Sequence, residues 1–207
     1  MADWVERQLR ARGIDDERVL AAMAAVPREL FVPEELRSHA YDDGALPLAF
    51  GQTVSQPFIV AFICQALAVS PNDRVLDVGT GSGYQAAVLA ELGGTVYSIE
   101  RIAELAEAAR EALDAAGYGQ VEVLVGDGAL GLPAEAPFHA IAVAAASGEV
   151  PPPLWAQLEE GGRIALPLGS RRWQRLCVLE RTRGGNRLIA TVPARFVPLI
   201  VGEEQGV

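Results

Sequence analysis

The chain has 207 residues, half of them hydrophobic and 21% charged, and its 27 acidic and 17 basic residues give a net charge of −10. That apolar content excludes disorder for most of the chain, the length fits one domain, and no run approaches the ~18 unbroken apolar residues of a membrane helix. The acidic balance argues against a nucleic-acid partner, because duplex binding needs a basic field. In chain order, Asp3 caps a helix that runs to about Arg12 and stops at Gly13. Asp15 or Asp16 caps a second helix through Val26, closed by Pro27, and Pro33-Glu34-Glu35 opens a short third. Residues 42–56, with Gly44, Pro47 and Gly51, read as a loop, and Pro57 opens an apolar helix to about Ala68.

From Arg74 the pattern alternates. Strands are predicted at 74–78, 95–99, 121–125, 138–144 and 163–168, with helices at 84–92, 102–116 and 152–158. The strands are apolar throughout, as in a parallel sheet covered on both faces. Segments 176–181 and 187–192 flank Gly184-Gly185-Asn186 and predict a hairpin. The expected fold is α/β: a doubly wound, mostly parallel sheet with an antiparallel hairpin at one edge and N-terminal helices. Residues 1–70 form a helical part that covers the site, 71–192 the core sheet and 193–207 a tail, all in one domain.

Several chemistries are excluded. The sequence holds no lysine, which removes Schiff-base catalysis and the Gly-Lys-Ser/Thr phosphate loop. Two histidines, two scattered cysteines and no HExxH or paired CxxC make a metal site unexpected. Residues 1–7 lack a basic flank followed by an apolar run, so no signal peptide and no membrane association are expected. Cys64 and Cys177 read as reduced thiols in a cytoplasmic protein, and a monomer is slightly favoured.

The chemistry sits in Asp77-Val78-Gly79-Thr80-Gly81-Ser82-Gly83-Tyr84, between a predicted strand and a predicted helix. A dinucleotide fingerprint needs GxGxxG, whereas here the third glycine comes one residue early and Tyr84 takes its place. An acidic residue two before the first glycine, then GxGxG, is the pattern of S-adenosylmethionine-dependent methyltransferases. Asp77 agrees with it: it is an awkward neighbour for a pyrophosphate and a suitable one for a cofactor carrying an ammonium and a sulfonium. Glu100 ends the next strand, where a carboxylate accepts both ribose hydroxyls; the bland reading is a solvated strand-end carboxylate. Asp127, in Gly126-Asp127-Gly128, is either an acceptor for the adenine amine or an ordinary turn aspartate.

A more specific segment is Gly51-Gln52-Thr53-Val54-Ser55-Gln56-Pro57-Phe58-Ile59-Val60-Ala61. Read with Asp77 to Ala87, Val26 to Pro33 and Arg195 to Leu199, it resembles the protein-L-isoaspartate O-methyltransferase family over essentially the whole chain. The resemblance implies a Rossmann-like methyltransferase fold and methylation of the α-carboxylate of L-isoaspartyl residues in damaged proteins and peptides. It implies that Ser55 is the active-site serine; by position Ser55 also reads as a cap for the helix opened at Pro57. The implied cofactor contacts are Thr53, Val54, Ser55, Asp77, Gly79, Thr80, Gly81, Gly83, Glu100, Asp127 and Gly128. The implied substrate contacts are Ser55, Arg195, Phe196, Val197 and Pro198, with Arg195 either pairing with a substrate carboxylate or standing at the surface. Two departures touch the family pattern: Ala49-Phe50 before Gly51, and Ala144-Ala145-Ala146-Ser147-Gly148-Glu149 after the fourth strand. The competing readings are a methyltransferase of another substrate and a cofactor-binding scaffold that has lost catalysis.

Overall fold

The structure is a computed structural model that describes residues 3–170 and 172–202. The expected first helix is split: α1 spans Asp3–Gln8, and a 3₁₀ turn follows at Arg10–Arg12. The chain tightens there because Arg12 and Gly13 bond to carbonyls only three residues back. α2 (Glu17–Ala25) is capped by Asp16, whose carboxylate accepts from the amides of Arg18 and Val19. Further 3₁₀ turns cover Arg28–Phe31 and Glu34–His39.

The segment expected as a loop contains a miniature antiparallel ribbon, β1 (Leu46–Pro47) on β2 (Thr53–Val54). A turn through Phe50 closes it, with Phe50 in the left-handed region at φ +58° and Gln52 donating to the carbonyl of Ala49. α3 (Pro57–Leu67) follows and buries eight of its eleven residues. Its N-cap is Gln56, with no side-chain cap bond, so Ser55 is not the cap.

The main sheet has seven strands: β3 (Arg74–Val78), β4 (Thr95–Glu100), β5 (Glu122–Val125), β6 (Phe138–Val143), β7 (Leu158–Gly169), β8 (Gln174–Thr182) and β9 (Gly185–Pro193). Their order across the sheet is β5-β4-β3-β6-β7-β8-β9; the first five are parallel, β8 pairs antiparallel with β7, and β9 pairs antiparallel with β8. The crossovers carry α4 (Tyr84–Glu91), α5 (Ala103–Ala115) and α6 (Pro152–Gln157). β7 starts earlier than expected because Leu158 pairs with Phe138 before a register shift brings Arg163 opposite Ala140.

Alternation along the strands supplies two cores. Val75, Val96, Ala140 and Ala165 pack with Val5, Leu9, Leu20, Met23, Ile63 and Leu67. Leu76, Val78, Ile99, Ile141, Val143 and Ile164 point the other way, onto Leu154 and Leu158. The N-terminal helices thus share a core with the sheet, which fixes β2 and Ser55 over its carboxyl end.

Candidate active site

The strand order reverses at β3, between β4 and β6. In an open parallel sheet that point leaves a crevice at the carboxyl ends of the strands. Here it is a solvent-open cavity of about 980 Å³. The β3–α4 turn (Gly79 to Ser82), the end of β4 (Ile99 to Ile102), Gly128 and Ala144-Ala145 form one side. Gln52 to Ser55 and Phe196 to Ile200 line it as well.

The turn after β3 works because Gly79 holds φ +90°, a conformation that side chains resist. It lets the amides of both Gly79 and Thr80 donate to the carbonyl of Ile99, at 2.8 and 3.2 Å. Gly83 does not line the cavity. It caps α4 at φ +88°, and an added Cβ would lie 3.2 Å from Cγ of Leu113 on α5, so its glycine is needed for the helix. Gly128 does line the cavity, yet a Cβ there would meet Val78 Cγ1 at 2.4 Å, so packing also demands glycine.

Glu100 is 5% exposed, which removes the solvated-carboxylate reading. Its Oε2 accepts from the amide of Gly81 at 2.9 Å and its Oε1 from that of Ile102 at 3.1 Å. Each oxygen keeps a second lone pair, so an anchored carboxylate faces the cavity with capacity for a diol. Asp77 differs from expectation: it is fully buried and lines nothing. Its oxygens accept from Gln85 Nε2 and Ser98 Oγ, both at 2.7 Å, and Ser98 in turn bonds Thr80 at 2.6 Å. Gln85 and Thr80 line the cavity, so Asp77 acts through them. Burial pushes its carboxyl up to about 6, against the pull of the Gln85 and Ser98 bonds. Asp127 also lies outside the lining. Its Oδ1 caps the turn at Gly128–Leu130 by accepting from Ala129, and its Oδ2 accepts from the amide of Gly202 at 2.7 Å.

Thr53, Val54 and Ser55 all line the cavity. Ser55 is held from behind by a residue the sequence analysis passed over. Arg28 is completely buried and donates through Nη2 to the carbonyl of Ser55 and through Nε to that of Ala40, both at 2.7 Å. Its guanidinium lies 4.5 Å from the centre of the Tyr84 ring. Nη1 has no partner among the described residues. Burial lowers the pKa of Arg28, and Tyr84 and Tyr41 oppose that shift. Gln85, Ser98 and Gln174 were passed over too, because each acts only through contacts made in the folded state.

In the tail, Phe196, Val197 and Pro198 line the cavity and Arg195 does not. The Gln174 side chain clamps Phe196, accepting from its amide at 2.7 Å and donating to its carbonyl at 3.3 Å. Ala146 donates to the carbonyl of Val197 at 2.7 Å and accepts from the amide of Leu199 at 2.8 Å. The 144–149 loop therefore meets the tail through its main chain, which alanine supplies as well as any residue. Of the other departure, Phe50 is exposed and Ala49-Phe50 lies outside the cavity. His39 pairs with Asp42, and His139 with Glu159 and Asp73, all outside the cavity. No group of three metal-ligating side chains gathers among the described residues, and no helix there is long and apolar enough to cross a membrane.

The lining fits an adenosine: the Glu100 carboxylate for its diol, and Ile99, Ile102 and Leu199 for its ring. Pyrophosphate would meet Tyr84 in place of a third glycine and a carboxyl behind the turn.

The family model described as protein-L-isoaspartate(D-aspartate) O-methyltransferase matches residues 3–204. A Methanoculleus marisnigri protein named protein-L-isoaspartate O-methyltransferase is 53% identical over 198 residues, covering 96% of this chain and 90% of that one. One of the same name from Gloeobacter violaceus is 50% identical, covering 94% and 96%. A solved Plasmodium falciparum chain, described as a protein-L-isoaspartate O-methyltransferase in complex with S-adenosyl-L-homocysteine, superimposes with a TM-score of 0.83 at 25% identity. That match covers 95% of this chain and 96% of the other. With a family model spanning nearly its whole length and relatives at half identity, the chain belongs to the protein-L-isoaspartate O-methyltransferase family.

Proposed function

We propose that this chain transfers a methyl group from S-adenosylmethionine to the α-carboxylate of L-isoaspartyl residues in damaged proteins and peptides. One observation carries the reading beyond family membership. The glycine turn, Glu100, Ser55 and Phe196 to Pro198 all line a single cavity. That shared lining supports adjoining places for cofactor and acceptor at the carboxyl end of the sheet.

When bound, the cofactor supplies a methyl carbon on a sulfonium, whose sulfur leaves as a neutral thioether. A substrate carboxylate with a pKa near ~4 is ionised at neutral pH, so no general base is needed. That accords with both histidines lying outside the cavity. Ser55 donates one neutral hydrogen bond to the carboxylate, orienting it without the over-stabilisation an arginine pair would bring. Arg28 fixes Ser55 by its carbonyl, and Glu100 fixes the adenosine end. Thr53, Val54, Gly79, Thr80 and Gly81 shape the cofactor's place, and Gly83, Asp77 and Asp127 support it from behind. Alignment in a partly dry cavity supplies most of the rate.

The reading places the enzyme in a reducing cytoplasm, acting on proteins and peptides rather than on nucleic acid or membrane. Supporting it, Cys64 and Cys177 are both free, and burial pushes the Cys64 thiol far up. Calorimetric titration with S-adenosylhomocysteine and with NAD tests the cofactor assignment. Saturable binding of the first and none of the second is expected; tight NAD binding with no response to the homocysteine compound contradicts it.

A further inference from the structure

A second groove opens at the same end of the sheet, between the β7–β8 turn and the segment leaving β9. Arg172, Trp173, Gln174, Pro193, Ala194 and Arg195 line it, around a volume of about 590 Å³. Trp173 is 84% exposed. Tryptophan is enriched on surfaces that meet another chain.

The charge in this region runs against that of the molecule. Between residues 171 and 195 there are seven arginines and one acidic residue, Glu180, in a chain of net charge −10. At the far end of the hairpin the arginines are engaged. Arg181 donates to the carbonyls of Trp155 and Leu158, Arg183 pairs with Glu160, and Arg187 with Glu180. At the cavity end, Arg175 donates to the hydroxyl of Thr191, and no carboxylate pairs with Arg172, Arg175 or Arg195 among the described residues.

The groove and the cavity share a wall. Gln174 lines the groove and clamps Phe196, and Arg195 in the groove directly precedes Phe196 in the cavity. An extended peptide advances about 3.3 Å per residue. Residues flanking the one held at Ser55 can therefore run from the cavity past Phe196 into the groove.

We infer that this groove holds the polypeptide flanking the isoaspartyl residue and favours acidic flanks. Arg172 and Arg195 pair with the flanking carboxylates, and Trp173 covers the chain between them. An enzyme of net charge −10 repels an acidic substrate at long range. Unpaired arginines beside the cavity reverse that field within about one Debye length, ~8 Å at physiological salt. The inference rests on the proposed methyl transfer but concerns the neighbours of the reacting residue.

The test uses three isoaspartyl peptides that differ only in their flanks, carrying two glutamates, two glutamines or two arginines. At low salt the native enzyme is expected to show a KM roughly five-fold lower for the glutamate-flanked peptide than for the glutamine-flanked one, with the gap closing at high salt. Arg172→Gln/Trp173→Ala changes only exposed side chains. It is expected to close the gap by raising the KM of the glutamate-flanked peptide well above the smaller rise that losing the Trp173 contact gives the glutamine-flanked one, with kcat unchanged. Arg195→Gln is expected to raise the glutamate-flanked KM as well. Equal KM values in the native enzyme, or a gap that survives the double variant, overturn the inference. Failure to methylate any of the three peptides overturns the proposed function and this inference with it; methylation of all three with equal KM overturns this inference alone.

Discussion

Ser55, Asp77 and Arg28 show how differently single residues enter the site. Ser55 lines the cavity and is not the cap of α3, which falls to Gln56. Ser55→Ala is therefore expected to leave the melting temperature and the affinity for S-adenosylhomocysteine unchanged. Losing a hydrogen bond to a charged carboxylate should lower turnover on isoaspartyl peptide roughly ten- to a hundred-fold. A variant with full turnover contradicts the role given to the hydroxyl. Asp77 is instead an internal support. Burial raises its carboxyl from 3.8 to about 6, so the folded state holds that proton more tightly than the unfolded chain. Its favourable contribution is complete below pH 3.8 and is lost as pH climbs through about 6. At neutral pH the buried charge costs about 3 kcal/mol relative to the neutral acid. Asp77→Asn places an amide donor against the donors of Gln85 and Ser98, a pH-independent loss. It also removes the titration, so the melting temperature of the variant relative to native should rise between pH 4 and pH 7. A constant difference across that range contradicts the assignment. Glu100 was legible from its type and spacing at a strand end, and Ser55 only through the family resemblance. Arg28, Gln85, Ser98 and Gln174 were not, because their work is done through partners 8 to 27 positions away that only the fold brings near.

At the scale of elements, the alternating strands and helices from Arg74 onward were readable because the buried strands are largely apolar and most of the turns between elements carry glycine. The 46–54 ribbon was not, because its strands are two residues long and its turn sets Phe50, beside Gly51, in the left-handed region, which a phenylalanine does not advertise. The early start of β7 was hidden as well, since a register shift leaves no periodicity to read. The three glycines after β3 looked like one motif, yet they do separate jobs. Gly79 shapes the cavity, while Gly83 couples α4 to α5. Gly83→Ala forces φ +88° on an alanine and pushes its Cβ to 3.2 Å from Leu113. The strain and the crowding together should cost about 2 kcal/mol, lowering the melting temperature by roughly 4–8 °C in a chain of this size. Calorimetric melting checks it, and a loss of S-adenosylhomocysteine affinity with unchanged stability would return Gly83 to the cofactor site.

The whole molecule is organised around one end of one sheet. N-terminal helices, miniature ribbon and C-terminal tail all converge there, on a core shared from Val5 to Val178. The 144–149 loop joins the tail by main-chain hydrogen bonds, from Ala146 to Val197 and from Leu199 to Ala146. What converges is a place for an adenosine, a neutral hydroxyl and an extended tail, with no histidine among them. Such a site suits a nucleophile that arrives already ionised. The central claim is tested by methyl transfer from labelled S-adenosylmethionine to an isoaspartyl peptide beside its aspartyl twin. The account predicts saturable labelling of the isoaspartyl peptide, lost on base treatment as a methyl ester is, and none of the twin. Equal labelling of both peptides, or labelling of neither by a folded enzyme that binds S-adenosylhomocysteine, would contradict it.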